Sequence, residues 1–415
     1  MTKLRINPCS MIFLPLVALL LMQGCATSTR QVAVPVSLQN EAQIPGLPGI
    51  RYWVGKDKEK LTREGLESVK REQTYLTAIG HKGPLPPAIF LAISGGGDNG
   101  AFGAGLLNGW TAAGNRPQFK LVTGISTGAV TAPFAFLGPE YDAKLKEFYT
   151  TTSTKDIYEE RSILALLTSD ALYDTWPLRK QLEKHITRDL LDAIAAEYKK
   201  GRLLLAATVN LDARYPTIWN LTKIAASSDP KALELFRAVI IASASIPAAF
   251  PPVMIDVEAG GQQYQEMHVD GGTMGQVFLY PPSMDLQAAA RKTGIERERK
   301  LYIIRNSRLD PEWASVERRV LTITDRAINS MIQAQGIGDL YRIFIISQRD
   351  GLDYNLAYIP ATFNAPKEEA FDPAYMGRLF DLGYEMAAKG YPWQKLPPGM
   401  TPQTMPLHGK TSANP

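Results

Sequence analysis

Residues 88–105 read AIFLAISGGGDNGAFGAG, and this run decides what kind of sheet the chain builds. Ala88 to Ile93 are apolar without alternation. A strand of that pattern is buried on both faces, as in a parallel sheet covered by helices. The glycines then end the strand, and Gly105, Leu106, Leu107 and Trp110 continue it as an apolar helix.

Outward from this run the alternation repeats. Leu121-Val122 reads as the next strand and Ala129 onward as a buried helix. LLLAATV (203–209), KLYIIRN (300–306) and LDYNLAYI (352–359) are further strands, with helical stretches at 56–79, 177–200 and 318–348. Strands alternating with helices imply an α/β fold with a mostly parallel sheet covered on both faces. At 415 residues, 45% hydrophobic and 21% charged, the chain suits one large α/β domain or two smaller ones.

The N-terminus reads as an export signal. Lys3 and Arg5 precede the apolar run Met11–Met22, which is too short to span a bilayer and leads to Gln23-Gly24-Cys25-Ala26. A small residue before Cys resembles the bacterial lipobox, in which the Cys is lipidated; an ordinary signal peptide cleaved nearby is the other reading. With residues 1–24 removed, Cys25 is the one remaining cysteine and cannot form an internal disulfide. The remaining 43 basic and 41 acidic residues give a formal +2, which argues against a nucleic-acid partner. Without Asp after Cys25, the expected location is the outer membrane, facing the periplasm.

The expected layout is a signal peptide (1–24), then a lipidated N-terminus, tether and helical lead-in (25–85). A catalytic domain (86–285) follows, with a C-terminal α/β extension packed on it (286–396) and a flexible tail (397–415).

Gly95, Gly97 and Gly100 match G-x-G-x-x-G between a strand and a helix, the setting of a dinucleotide fingerprint. That fingerprint needs an acidic residue about 20 positions on, and none occurs between Ala101 and Pro139. A Walker loop is excluded as well, since no Lys-Ser or Lys-Thr follows. What remains is a loop of exposed N–H groups at a helix N-terminus, suited to negative charge. An oxyanion developing on an attacked carbonyl is such a charge.

Gly124-Ile125-Ser126-Thr127-Gly128 fits G-x-S-x-G, again after a strand and before a helix. In a nucleophile elbow of this kind the serine holds a strained backbone and its hydroxyl stands at the sheet's C-terminal end. Serine needs a base. Of four histidines, only His268 lies in a plausible place, within Glu266-Met267-His268-Val269-Asp270-Gly271-Gly272. Asp270 is the stronger candidate: it ends a strand, Gly271 and Gly272 permit a tight turn after it, and desolvation raises a carboxylate's basicity. An Asp that merely caps its own turn is the alternative. His268 shares the strand face and either tunes the base, replaces it or has a local partner.

GGGDNG, GISTG and DGG in this order resemble the patatin-like phospholipase family over roughly residues 88–285. The block ASASIPAAFPPV (242–253) resembles the family's Ala-Ser-x-x-x-Pro stretch. The resemblance implies a three-layer α/β/α sandwich and hydrolysis of ester-linked acyl chains. It also implies Ser126 as nucleophile, Asp270 as base, and an oxyanion hole at Gly95, Gly96, Gly97 and Gly100. Two departures stand out: Asn99 where the family often has Arg or Lys, and Thr273-Met274-Gly275-Gln276 where it often has Asn-Pro. The expected activity is that of a lipid acyl hydrolase acting on a phospholipid or other acyl-ester lipid, using no metal and no organic cofactor. A general esterase or thioesterase, or a non-catalytic binding lipoprotein, are the rivals. Phe102, Trp110, Phe134 and Phe136 are candidates for an acyl groove, and core packing explains them equally well.

Overall fold

The computed structural model describes residues 30–162 and 169–402. The signal peptide, the Cys25 lipidation site and most of the expected tail lie outside the described residues. Nine strands form one sheet: β1 (Arg51–Trp53), β2 (Ala88–Ile93), β3 (Leu121–Gly124), β4 (Leu203–Asn210), β5 (Tyr215–Asn220), β6 (Val253–Ala259), β7 (Gln262–Asp270), β8 (Arg299–Arg305) and β9 (Leu352–Tyr358). The principal helices are α1 (Lys58–Ala78), α2 (Gly100–Ala112), α3 (Thr127–Leu137), α4 (Asp142–Thr151), α5 (Trp176–His185), α6 (Arg188–Lys199), α7 (Ala232–Ser243), α8 (Leu286–Thr293), α9 (Val320–Asp350) and α10 (Pro373–Ala388).

The sheet order is β1-β5-β4-β3-β2-β8-β9. Strands β4, β3, β2, β8 and β9 run parallel; β5 pairs antiparallel with β4, and β1 in turn pairs antiparallel with β5. Alternate side chains feed two cores. Leu91, Ile93, Val122 and Leu204 meet Phe102, Phe134, Phe236 and Phe380 on one face. Phe90, Leu121, Leu205 and Ile303 meet Leu61, Leu340 and Phe344 on the other. The three-layer arrangement of helix, sheet and helix follows from that double burial.

One register places the site. Along a single edge of β4, β3 pairs in parallel from Leu121↔Leu203 to Gly124↔Ala206. Just beyond, β7 pairs antiparallel on that edge, ending at Thr208↔Asp270; the opposite edge is taken by β5. Thus β3 and β7 approach each other end to end.

Two local expectations are corrected. The helical stretch 177–200 breaks at Ile186-Thr187, where the Thr187 side chain caps α6 by accepting the Leu190 N–H. From Arg30 onward the expected tether lies packed on the domain. Val34, Ile44, Leu47 and Ile50 enter the core, Gln43 pairs with Glu258, and Arg30 makes a two-pronged ion pair with Asp212. The apolar residues of this stretch are too widely spaced to read as an element, yet each finds a place on the domain.

Candidate active site

Ser126 sits at the turn between β3 and α3 with φ 55° and ψ −128°, a conformation that costs a non-glycine residue about 1–3 kcal/mol. The turn closes so tightly that a Cβ on Gly124 would lie 2.3 Å from the Gly128 carbonyl oxygen. One on Gly128 would lie 2.3 Å from that of Ile93. Glycine at both positions is therefore a steric requirement of the elbow.

Asp270 ends β7, and its carboxylate lies beside the Ser126 hydroxyl, close enough for that hydroxyl to favour the ionised carboxylate. Its Oδ1 also accepts the Gly272 N–H at 2.7 Å, so the residue caps its own turn as well. Gly271 abuts the Ala207 carbonyl, and Gly272 supplies this donor. Both side chains are buried, Ser126 at 6% and Asp270 at 4% exposure. Burial pushes the Asp270 carboxyl up to about 7, against the opposing pull of the Ser126 hydroxyl and the Gly272 N–H.

A common support underlies the pair. The Ser126 N–H donates to Ser243 Oγ at 3.0 Å, and that hydroxyl donates to the Ala207 carbonyl. The Asp270 N–H donates to the Ser245 carbonyl at 2.9 Å. Ser243 and Ser245 belong to the ASASIP stretch at the end of α7. Sequence reasoning noticed that stretch but assigned no role to either serine; spacing alone carries no sign of which backbone a buried hydroxyl will hold.

The glycine loop divides its donors. The Gly95 N–H donates to the Gln276 carbonyl at 3.0 Å, and that of Gly100 turns back onto Gly97 and Asp98 carbonyls. Neither is directed at the Ser126 cavity. The N–H groups of Gly96, Gly97 and Thr127 have no hydrogen-bond partner among the described residues. Gly96 holds φ 152° and packs so closely on Asn306 that a Cβ would meet its carbonyl oxygen at 2.1 Å. Asn306 in turn grips the loop, accepting the Gly103 N–H and donating to the Ser94 carbonyl. From sequence, Gln276 figures only within the departure at 273–276, Asn306 only as the end of a strand, and Thr127 only as part of the G-x-S-x-G run.

A cavity opens over Ser126 and Thr127. Its walls are apolar: Val130, Phe148, Ile157, Leu178, Ile246, Phe250, Phe371 and Met376, with Gly97 at one side. Phe102, Trp110, Phe134 and Phe136 do not line it. All four are core side chains, because the α2 and α3 faces that carry them turn toward the sheet.

His268 makes a different set of contacts. It is fully buried, with Nδ1 2.8 Å from Thr208 Oγ1 and Nε2 3.1 Å from Glu266, which pairs with Arg51. The Trp219 ring stands edge-on to it. Burial pushes its imidazole down despite Glu266. This network braces β4, β5 and β7 and does not touch Ser126. Among the described residues no group of three or more His, Cys, Asp or Glu is arranged to hold a metal ion.

The family model described as patatin-like phospholipase matches residues 91–280. No curated protein matches the chain. VipD from Legionella pneumophila shares 13% identity at a TM-score of 0.36, over 74% of this chain and 66% of that one. Full-length ExoU from Pseudomonas aeruginosa, solved with SpcU, shares 12% at 0.33, over 74% and 52%. Human GIVD cytosolic phospholipase A2 shares 11% at 0.31, over 68% and 51%. The chain spans less than two thirds of each of these structures. The family match runs from strand β2 through the glycine loop and the elbow to beyond the Asp270 turn, and over residues 91–280 this chain therefore carries a patatin-like phospholipase domain with the patatin fold.

Proposed function

We propose that the protein is a serine acyl hydrolase acting on ester-linked acyl chains of phospholipids or related lipids. The observation that carries this reading is buried Ser126 at the floor of an apolar cavity, with the buried Asp270 carboxylate beside its hydroxyl. Ser126 Oγ attacks the ester carbonyl carbon while Asp270 takes its proton. The developing oxyanion is held by the Gly96 and Gly97 N–H groups, with Thr127 at the start of α3 as a further donor; each such donor typically lowers the barrier by ~3–4 kcal/mol. The proton passes from Asp270 to the leaving alkoxide, and a lysolipid or alcohol departs. Asp270 then deprotonates a water that attacks the acyl-enzyme, releasing the fatty acid and restoring Ser126.

The apolar walls favour a long acyl chain over a small one, since each methylene buried contributes about 0.8 kcal/mol. We further infer that Cys25 carries a lipid anchor that holds the domain at the outer membrane, facing the periplasm. Ser126→Ala and Asp270→Asn should each lower kcat for a medium-chain acyl ester by roughly 10³-fold or more, with unchanged circular dichroism. Retained turnover in Ser126→Ala would refute the reading.

A further inference from the structure

A second apolar groove lies at the other end of the sheet from Ser126. It runs between α1 and α8 over the starts of β2, β3, β4 and β8, walled by Leu61, Leu66, Phe90, Leu121, Met284 and Leu286. It holds about 1070 Å³ of atom-free space, part of it continuous with solvent. Leu121 precedes Ser126 by five residues, roughly 15 Å along an extended chain. The groove also belongs to the opposite sheet face: its strand side chains lie in the core beneath α1 and α9, whereas the Ser126 cavity draws on the other core.

The groove has an unmet electrostatic demand. Arg297 lines it with a side chain only 5% exposed. Its two terminal nitrogens engage Glu72, but its buried Nε–H has no acceptor. Buried donors are rarely left so. Arg299, also in the wall, forms no side-chain hydrogen bond or ion pair among the described residues. The third cation, Lys120, is satisfied by Glu72 and the Ser68 and Gly201 carbonyls. Asp285 is the one acidic residue in the wall, and its Oδ1 is committed to the Ala288 N–H at the start of α8. Gly65 of α1 lines the groove and faces open space: a Cβ there would meet nothing within 4 Å.

We propose that this groove is a second, non-catalytic site for a free long-chain fatty acid. The acyl chain lies between α1 and α8, and the carboxylate pairs with Arg299, with the Arg297 guanidinium adding positive charge behind the wall. A single carboxylate matches the one guanidinium of the wall that is uncommitted among the described residues, and charge-assisted bonds of this kind are the strong ones. The inference does not rest on the hydrolytic reading, and its test reads binding alone.

The test titrates the full chain carrying Ser126→Ala, which removes turnover, with a long-chain fatty acid bearing an environment-sensitive fluorophore. Saturable binding is expected, displaced by oleate and not by oleyl alcohol. Arg299→Gln should weaken it about tenfold, Gly65→Leu should abolish it, and Leu178→Trp, which fills the Ser126 cavity, should leave it unchanged. Absence of saturable binding would overturn the proposal. So would equal displacement by the alcohol or by a lysophospholipid, or loss with Leu178→Trp but not with Gly65→Leu. Should Gly65→Leu fail to fold, the half-buried Arg299→Gln decides.

Discussion

Asp270 is where one residue's environment sets the chemistry. A carboxyl held at about 7 by burial is half ionised at neutral pH, poised to accept and return a proton. The kcat/KM profile should therefore rise with pH and level off above a midpoint near 7. The same shift has a stability cost of definite sign. Unfolded Asp releases its proton near 3.9, so between about 4 and 7 the folded state binds more protons than the unfolded one. Stability contributed at low pH is then lost as pH rises through the folded value. Asp270→Asn escapes that loss. It should exceed the wild type in unfolding free energy by roughly 2–4 kcal/mol at pH 8, with the gap closing near pH 4, as denaturant titrations at the two pH values would measure.

At the scale of elements, the glycine loop does more than present donors. Asp98 accepts the Phe371 N–H at 3.0 Å and pairs with Lys367 at 2.6 Å, while Asn99 accepts the Tyr375 hydroxyl. The segment ahead of α10 is thereby strapped across the loop, and Phe371, at φ 57°, is turned into the cavity wall. This gives Asn99, the departure from the family's usual Arg or Lys, a positioning role. Phe371→Ala should raise KM for a long-chain ester roughly tenfold, from the lost apolar contact. An acetyl ester, which does not reach that wall, should be hydrolysed with KM changed by less than about twofold. Steady-state kinetics across chain lengths separate the two outcomes.

For the whole molecule, the packed stretch from Arg30 alters the geometry of attachment. Only residues 26–29 separate Cys25 from Arg30, a span of at most roughly 18 Å. A lipid on Cys25 would keep the domain close to the bilayer instead of on a long leash. No helix among the described residues is long and apolar enough to cross a membrane. Cys25→Ser should consequently shift the protein from the membrane pellet to the soluble fraction in cell fractionation. Persistent pelleting would require another means of attachment.

Local chemistry was legible in the residues alone: the double-sided strand at 88–93, the elbow glycines around Ser126 and the tight turn after Asp270 all follow from sterics and burial within a few neighbouring positions. The sequence thereby determined the α/β character and the candidates for nucleophile and base. What only the tertiary structure decided was the set of relations between distant segments. Ser126 and Asp270, 144 positions apart, meet because β3 and β7 share one edge of β4. The Gly95 N–H is taken by Gln276, the wall of the Ser126 cavity draws on α4, α5 and the Phe371 strap, and His268 turns to Glu266 and Thr208. Periodicity records which face of an element is apolar, but not which partner will cover it; strand pairing and side-chain packing settle that only once the chain has closed on itself.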